Sequence, residues 1–316
     1  MACGLKVAFV GAGYMAEEHM RAFASLPDVI IVGVYSRTRE RAEKLAAVHG
    51  TKVYESVSDL YSKTQADLVV VTVIELSMAE VAAACFEHPW TVLLEKPAGY
   101  DLADATRIRD AADRNGRRAF VAFNRRAYSS TRQALELLKG SSSERFIKVI
   151  DQQDQQSAIL VNKQPELVAR NYMFANSIHL IDYFRVLGRG EVASVEPIVP
   201  WKPERPGLVL AKINFSSGDV GLYEGIWDGP GPWIVTVNTP EQRIELRPVE
   251  RVSVQLRGTR AVTAPDIDAD DTAYKPGLRY QAVQAIAATR GEPANLATIG
   301  DSWHSMKLVA DIFGLT

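Results

Sequence analysis

Over the first 123 positions, short continuous apolar runs alternate with stretches of helical spacing. The runs at 5–10, 29–35, 52–54, 67–74, 92–94 and 118–123 suit buried strands. Between them, 14–26, 38–48, a stretch from 58, 78–87 and 103–114 place apolar residues on one helical face, and Asn115-Gly116 stops the last. Strand and helix alternating in this way predict a Rossmann-type α/β domain, a doubly wound parallel sheet with right-handed crossovers.

Beyond residue 123 the pattern changes. A helix is expected over 130–138, a strand over 145–153, a polar loop over 152–164 and a helix over 176–187 that stops at Gly188. From 192 to 256 the spacing is that of strands, with alternating runs near 212–215, 220–227, 233–238 and 243–246 separated by Gly or Pro. An acidic loop over 259–277 then leads to helices at 278–289 and 299–313. The expectation is the doubly wound domain over 1–122 and, over 123–316, an α+β domain on an open, mainly antiparallel sheet. One face of such a sheet would remain apolar and open to water, which predicts a homodimer or homotetramer.

Composition adds mainly exclusions. The chain has 316 residues, is 47% hydrophobic and 23% charged, and carries a net charge of −2. With no basic run, nucleic acid and anionic membranes are poor partners. No apolar stretch is long enough for a transmembrane helix, and the amino terminus lacks the layout of a secretory signal. Cys3 and Cys85 are far apart and lack metal-ligand spacing, so they read as reduced thiols of a cytoplasmic protein with no metal.

The candidate chemistry sits where strands end. The first run ends at Gly11-Ala12-Gly13-Tyr14-Met15-Ala16, a G-x-G-x-x-A turn opening a helix. Gly11 permits the tight turn, Gly13 lets backbone approach a pyrophosphate, and Ala16 keeps the helix close to the strand. The helix amino terminus offers free N–H groups to phosphate. After the second strand stand Ser36 and Arg37, with Arg41 behind, where an acidic residue would favour NAD. A hydroxyl and guanidinium suit a 2′-phosphate, so NADP is expected over NAD. Val92-Leu93-Leu94 runs into Glu95-Lys96-Pro97, which places a lysine at the carboxyl rim of the sheet. Glu75 and Glu95 are candidates for nicotinamide-ribose hydroxyls. Asn124, Arg125, Arg126 and Tyr128 follow the last strand and could hold a substrate, while Tyr172, Trp227 and Trp233 could stack on a sugar ring.

The glycine turn near residue 11, Glu95-Lys96-Pro97 and the open sheet together resemble the glucose–fructose oxidoreductase, inositol dehydrogenase and MocA-like family of NAD(P)-dependent oxidoreductases. The resemblance covers nearly the whole chain. It implies hydride transfer between NADP(H) or NAD(H) and a hydroxyl or keto carbon of a sugar or sugar derivative, possibly nucleotide-linked. The family's second marker is Asp-x-x-x-His-x-x-Asp on a helix; here Ala175-Asn176-Ser177-Ile178-His179-Leu180-Ile181-Asp182 keeps His179 and Asp182 and puts Ala175 in place of the first aspartate. The chain departs again after the fourth strand, with Ile74-Glu75 and Met78 where family members often have Pro-Asn and a histidine. Lys96 and His179 are the catalytic residues the resemblance implies, and Asn176 and Asp182 or Tyr183 share one helical face with His179. The missing aspartate also opens reduction of another carbonyl or an imine, and the scaffold supports a non-catalytic NAD(P)-sensing regulatory protein.

Overall fold

The structure is a computed structural model that describes residues 4–315. Cys3, read above as a reduced thiol, lies outside the described residues. The first stretch runs β1 (Leu5–Val10), α1 (Tyr14–Ala24), β2 (Val29–Tyr35), α2 (Arg39–His49), α3 (Val57–Thr64), β3 (Leu68–Val71), α4 (Glu75–Phe86), β4 (Thr91–Glu95), α5 (Leu102–Arg114) and β5 (Ala119–Ala122). Its strands are parallel, in the order β5-β4-β3-β1-β2. Continuous burial of β3 and β4 is what strands covered on both faces require. The strand expected at 52–54 is only a single bridge, Val34 to Val53, because the chain turns into α3 where Ser56 caps the helix.

The second stretch runs from a short 3-10 turn (Asn124–Ala127) through α6 (Ser129–Leu138), β6 (Phe146–Gln153), α7 (Gln155–Leu160), α8 (Glu166–Arg170), a π-helical turn (Met173–Ser177) and α9 (Ile178–Leu187). Seven strands follow: β7 (Val192–Val199), β8 (Leu208–Phe215), β9 (Val220–Trp227), β10 (Ile234–Asn238), β11 (Gln242–Leu246), β12 (Val252–Leu256) and β13 (Val262–Thr263). With β6 they form a sheet ordered β13-β12-β11-β10-β6-β9-β8-β7, antiparallel except at β6–β9. The loop expected over 152–164 contains α7 instead, because Asp154 caps it by accepting from the Ser157 N–H at 2.8 Å.

The chain ends with α10 (Ala269–Ala273), α11 (Leu278–Thr289), β14 (Ala297–Thr298) and α12 (Ile299–Phe313). So the acidic loop expected over 259–277 holds β13 and α10. Two compact units result. The first takes residues 1–124 and 270–303, the second 125–269 and 304–316. The expected division at 122, with everything later in one domain, therefore gives way to an interleaved one. The reason is burial: Leu278, Ala282, Ala285 and Ile286 of α11 join Met20 and Phe23 of α1 in one core. β14 adds an antiparallel edge strand beside β5.

In the second unit the sheet is two-faced. Alternate residues of β6, β8 and β9 are buried, among them Ile147, Val149, Ile213 and Tyr223. On the other face Ile150, Leu210, Leu222 and Ile226 stay half-exposed around the Lys148–Glu224 ion pair at 2.8 Å. Trp227, considered above as a ring-stacking residue, belongs to the buried face, packed with Trp201, Tyr223 and Phe313. Among the described residues, no helix is long and apolar enough to cross a membrane.

Candidate nucleotide and catalytic residues

The carboxyl ends of β1, β2, β3 and β4 deliver Gly11, Ser36, Thr72 and Lys96 to one edge of the first unit's sheet. Strand β1 lies between β2 and β3, so the direction of winding reverses beside Gly11, the place where open α/β sheets bind ligands. Gly11 has φ +111°, and a Cβ there would meet the Thr72 carbonyl oxygen at 2.6 Å. Only glycine fits this turn. At Gly13, which precedes α1, an added Cβ would meet nothing within 4 Å, so the space in front of the helix is open. No side chain caps α1, which leaves the first-turn N–H groups to a ligand. Tyr14 is exposed, Met15 half-buried and Ala16 fully buried against the sheet.

A 480 Å³ cleft follows this edge, lined by Gly11, Gly13, Ser36, Arg37, Arg41 and Thr72 among others. Arg39 is held by Glu43 at 2.8 Å and by Glu55, so of the three arginines only Arg37 and Arg41 line the cleft. Ser77, Glu80 and Val81 of α4 also line it and were not singled out in the sequence. Their spacing by three and four was the available signal. Glu75, at the start of α4, is not among the lining residues.

Lys96 is half-buried just beyond β4, and its peptide bond to Pro97 is cis. The Glu95 side chain does not extend as a free carboxylate at the strand end. It is buried, 2.9 Å from Nε2 of His19 and 2.9 Å from the Lys96 N–H it accepts from. Sequence reading missed His19, which is fully buried on the inner face of α1 next to Met20. A histidine at a core position needs a polar partner, and that was the signal. Glu95 thus ties the glycine-turn helix to the backbone of the lysine.

In the second unit, His179 lies in the first turn of α9 and is 6% exposed. Asn176, in the π-helical turn before it, donates from Nδ2 to Oε1 of Gln153 at 2.8 Å. Gln153 in turn donates to Asp151 at 2.6 Å, which also accepts from the Tyr223 hydroxyl at 2.8 Å. Complete burial pushes the Asp151 carboxyl above its ordinary range, against these hydrogen bonds. Asp182 and Arg126 form a two-point ion pair, both contacts 2.7 Å, and Ser305 donates to the same carboxylate at 2.6 Å. Arg125 lies 4.8 Å over the Trp233 ring, whose indole N–H donates to the Gln152 carbonyl at 2.8 Å. Tyr172 is half-buried beside the π-helical turn. Asn124 belongs to the first unit, where its side chain donates to the Pro276 carbonyl at 3.3 Å. The structure therefore brings Asn176, His179, Asp182, Arg125 and Arg126 into one unit, and the glycine turn, Ser36, Arg37, Glu95 and Lys96 into the other.

These features define the class: a nucleotide-binding α/β unit paired with a unit built on an open antiparallel sheet. Residues 5–123 match the family described as an oxidoreductase family with an NAD-binding Rossmann fold. Glucose-6-phosphate 3-dehydrogenase of Bacillus subtilis is 31% identical over 124 residues, 39% of this chain and 35% of that protein. The chain spans 35–58% of the length of the first curated relatives it matches. Whole-chain likeness comes from solved structures. A dehydrogenase from Chromobacterium violaceum superposes with TM-score 0.84 at 19% identity, covering 100% of this chain and 96% of that one. A levoglucosan dehydrogenase in complex with NADH and levoglucosan gives 0.80 at 18%, covering 98% and 96%. At such identities these two matches establish the fold.

Proposed function

We propose that the protein is an NAD(P)-dependent oxidoreductase that transfers a hydride between the nicotinamide and a hydroxyl or keto carbon of a sugar or sugar derivative. The observation that carries this reading is the nucleotide edge itself: an open, uncapped helix start at Gly13 on the same sheet edge as Lys96. The sugar class draws support from the relatives' names, a glucose-6-phosphate 3-dehydrogenase and a levoglucosan dehydrogenase. When bound, the nicotinamide supplies the hydride exchange. The first-turn amides of α1 hold phosphate, and Arg37 and Arg41 take a 2′-phosphate. Lys96 stabilises negative charge on the substrate oxygen, and His179 moves the proton of that oxygen. Asn176 takes the place left by Ala175: with Nδ2 committed to Gln153, its Oδ1 serves as a neutral acceptor for a substrate hydroxyl. Incubating the protein with NADP or NAD and a panel of hexoses, sugar phosphates, inositols and anhydrosugars, and following reduced-nicotinamide absorbance, tests the reading. Tight NADPH binding with no turnover of any sugar, carbonyl or imine would replace it with the regulatory one.

Cofactor preference follows from Arg37. Fluorescence titration is expected to show NADPH bound more tightly than NADH, with Arg37→Ala shrinking the gap. A hydrogen bond to a charged group contributes roughly 1.5–3 kcal/mol, or about ten- to a hundredfold in affinity. Equal affinities in the wild type would end the preference for NADP.

The assembly in this reading is a homodimer or homotetramer through the open sheet face, where half-exposed Ile150, Leu210, Leu222 and Ile226 lie around the Lys148–Glu224 and Lys212–Glu196 ion pairs. Light scattering at micromolar concentration is expected to give a multiple of 34.8 kDa. A species of one chain's mass at that concentration counts against it.

A further inference from the structure

Residues 270–277 form a strap in the first unit that is pinned from several sides. Asp270 pairs with Arg279 at 2.6 Å, Asp271 accepts from the Gly277 N–H at 2.7 Å, and Arg21 of α1 donates to the Ala273 carbonyl at 3.1 Å. Tyr274 has the guanidinium of Arg21 5.4 Å from its ring centre and that of Arg279 at 5.9 Å. Asn124, just past β5, donates to the Pro276 carbonyl at 3.3 Å. A strap held this way, with the Lys275 carbonyl itself accepting from the Leu278 N–H at 3.1 Å, fixes the root of the Lys275 side chain.

The Lys275 ammonium lies 5.3 Å over the ring of Tyr14, the first residue of α1. Lys275 is half-buried, and among the described residues no carboxylate pairs with it. Glu17, the acidic residue of the first turn, lines a neighbouring hollow with Gly13 and Arg41 and does not reach it. Two positive features thus meet at Tyr14: an uncapped helix amino terminus and a lysine with no counter-charge. An anion between them would satisfy both.

Resting on the cofactor reading above, we propose that Lys275 binds the pyrophosphate of the dinucleotide, so that the nucleotide site is completed by chain that follows the long 125–269 segment of the second unit. Tyr14 acts as the platform that aims the ammonium. The test separates phosphate binding from packing. Titration calorimetry of the full-length protein with ADP is expected to show Lys275→Met raising the dissociation constant by about tenfold, a single charge-assisted contact. Adenosine, which lacks the phosphates, should bind wild type and variant alike. Lys275→Arg should recover most of the ADP affinity, and the salt dependence of ADP binding should flatten in Lys275→Met. Unchanged ADP affinity in Lys275→Met overturns the assignment, and so does an equal loss of ADP and adenosine, which would mark a packing role. Wild-type protein that binds neither NADPH nor NADH overturns this assignment together with the cofactor reading beneath it.

Discussion

Lys96→Met and His179→Ala are each expected to lower turnover by about two orders of magnitude or more while leaving NADPH affinity nearly intact. Oxidising a carbinol carbon requires its hydroxyl to lose a proton, and reduction requires the oxygen to gain one. An imidazole exchanges protons near neutral pH, and an ammonium aimed at the oxygen lowers the energy of the charge that builds there. In the proposed reading, the surroundings of Lys96 hold its backbone in place for this role. Its backbone N–H is fixed by Glu95, and Glu95 is fixed by His19. His19→Ala should therefore reduce the rate constant more than substrate KM, because it loosens the lysine without removing a substrate contact. Pre-steady-state measurement of the hydride step, with cofactor affinity from titration, checks both. Wild-type turnover in Lys96→Met would remove the lysine from the mechanism.

The second large effect is on stability. Arg126→Ala is expected to destabilise the folded protein by about 3–5 kcal/mol, the usual result of leaving a buried charge without its partner. The Asp182 side chain is 4% exposed and the Arg126 side chain 24%, so water screens the pair poorly. Ser305→Ala should cost only about 1 kcal/mol, since the two-point contact to arginine remains. Replacing both ends, Arg126→Met with Asp182→Leu, should recover part of the loss, because no unpaired charge is left behind. Urea unfolding followed by circular dichroism measures all three. An Arg126→Ala protein of unchanged stability that has lost substrate affinity would return Arg126 and Asp182 to the substrate-binding role expected from sequence.

The contrast between these two sets of residues explains what the sequence could carry. Strands at 5–10 and 29–35 and helices at 278–289 and 299–313 are found at those bounds, because continuous apolar runs and long amphipathic stretches leave little competition between periods. The glycine turn was legible for a related reason: backbone chemistry at Gly11 and Gly13 depends on a few adjacent positions. Side-chain allegiance does not. Asp182 and Arg126 are 56 residues apart, and Glu95 and His19 are 76 apart. Nothing local shows that each charge is already committed. The helix at 155–160 was hidden because Gln155-Gln156-Ser157 has no apolar period, and its start is decided by one cap at Asp154. The polar chain from Asn176 through Gln153 to Asp151 was likewise out of reach, since it joins a strand to a π-helical turn across sequence.

The interleaving of the two units also bears on how the chain is made. Synthesis delivers residues in order, and domains generally fold as units while it proceeds at about 5–20 residues per second. Here α1 emerges with Met20 and Phe23 but must wait for Leu278 and Ala282 to cover them. The second unit waits longer still, since Phe313 closes the aromatic cluster of Trp201, Tyr223 and Trp227. The second core is not finished until α12 is free of the ribosome, and a nascent chain halted before α11 exposes apolar surface from both units at once.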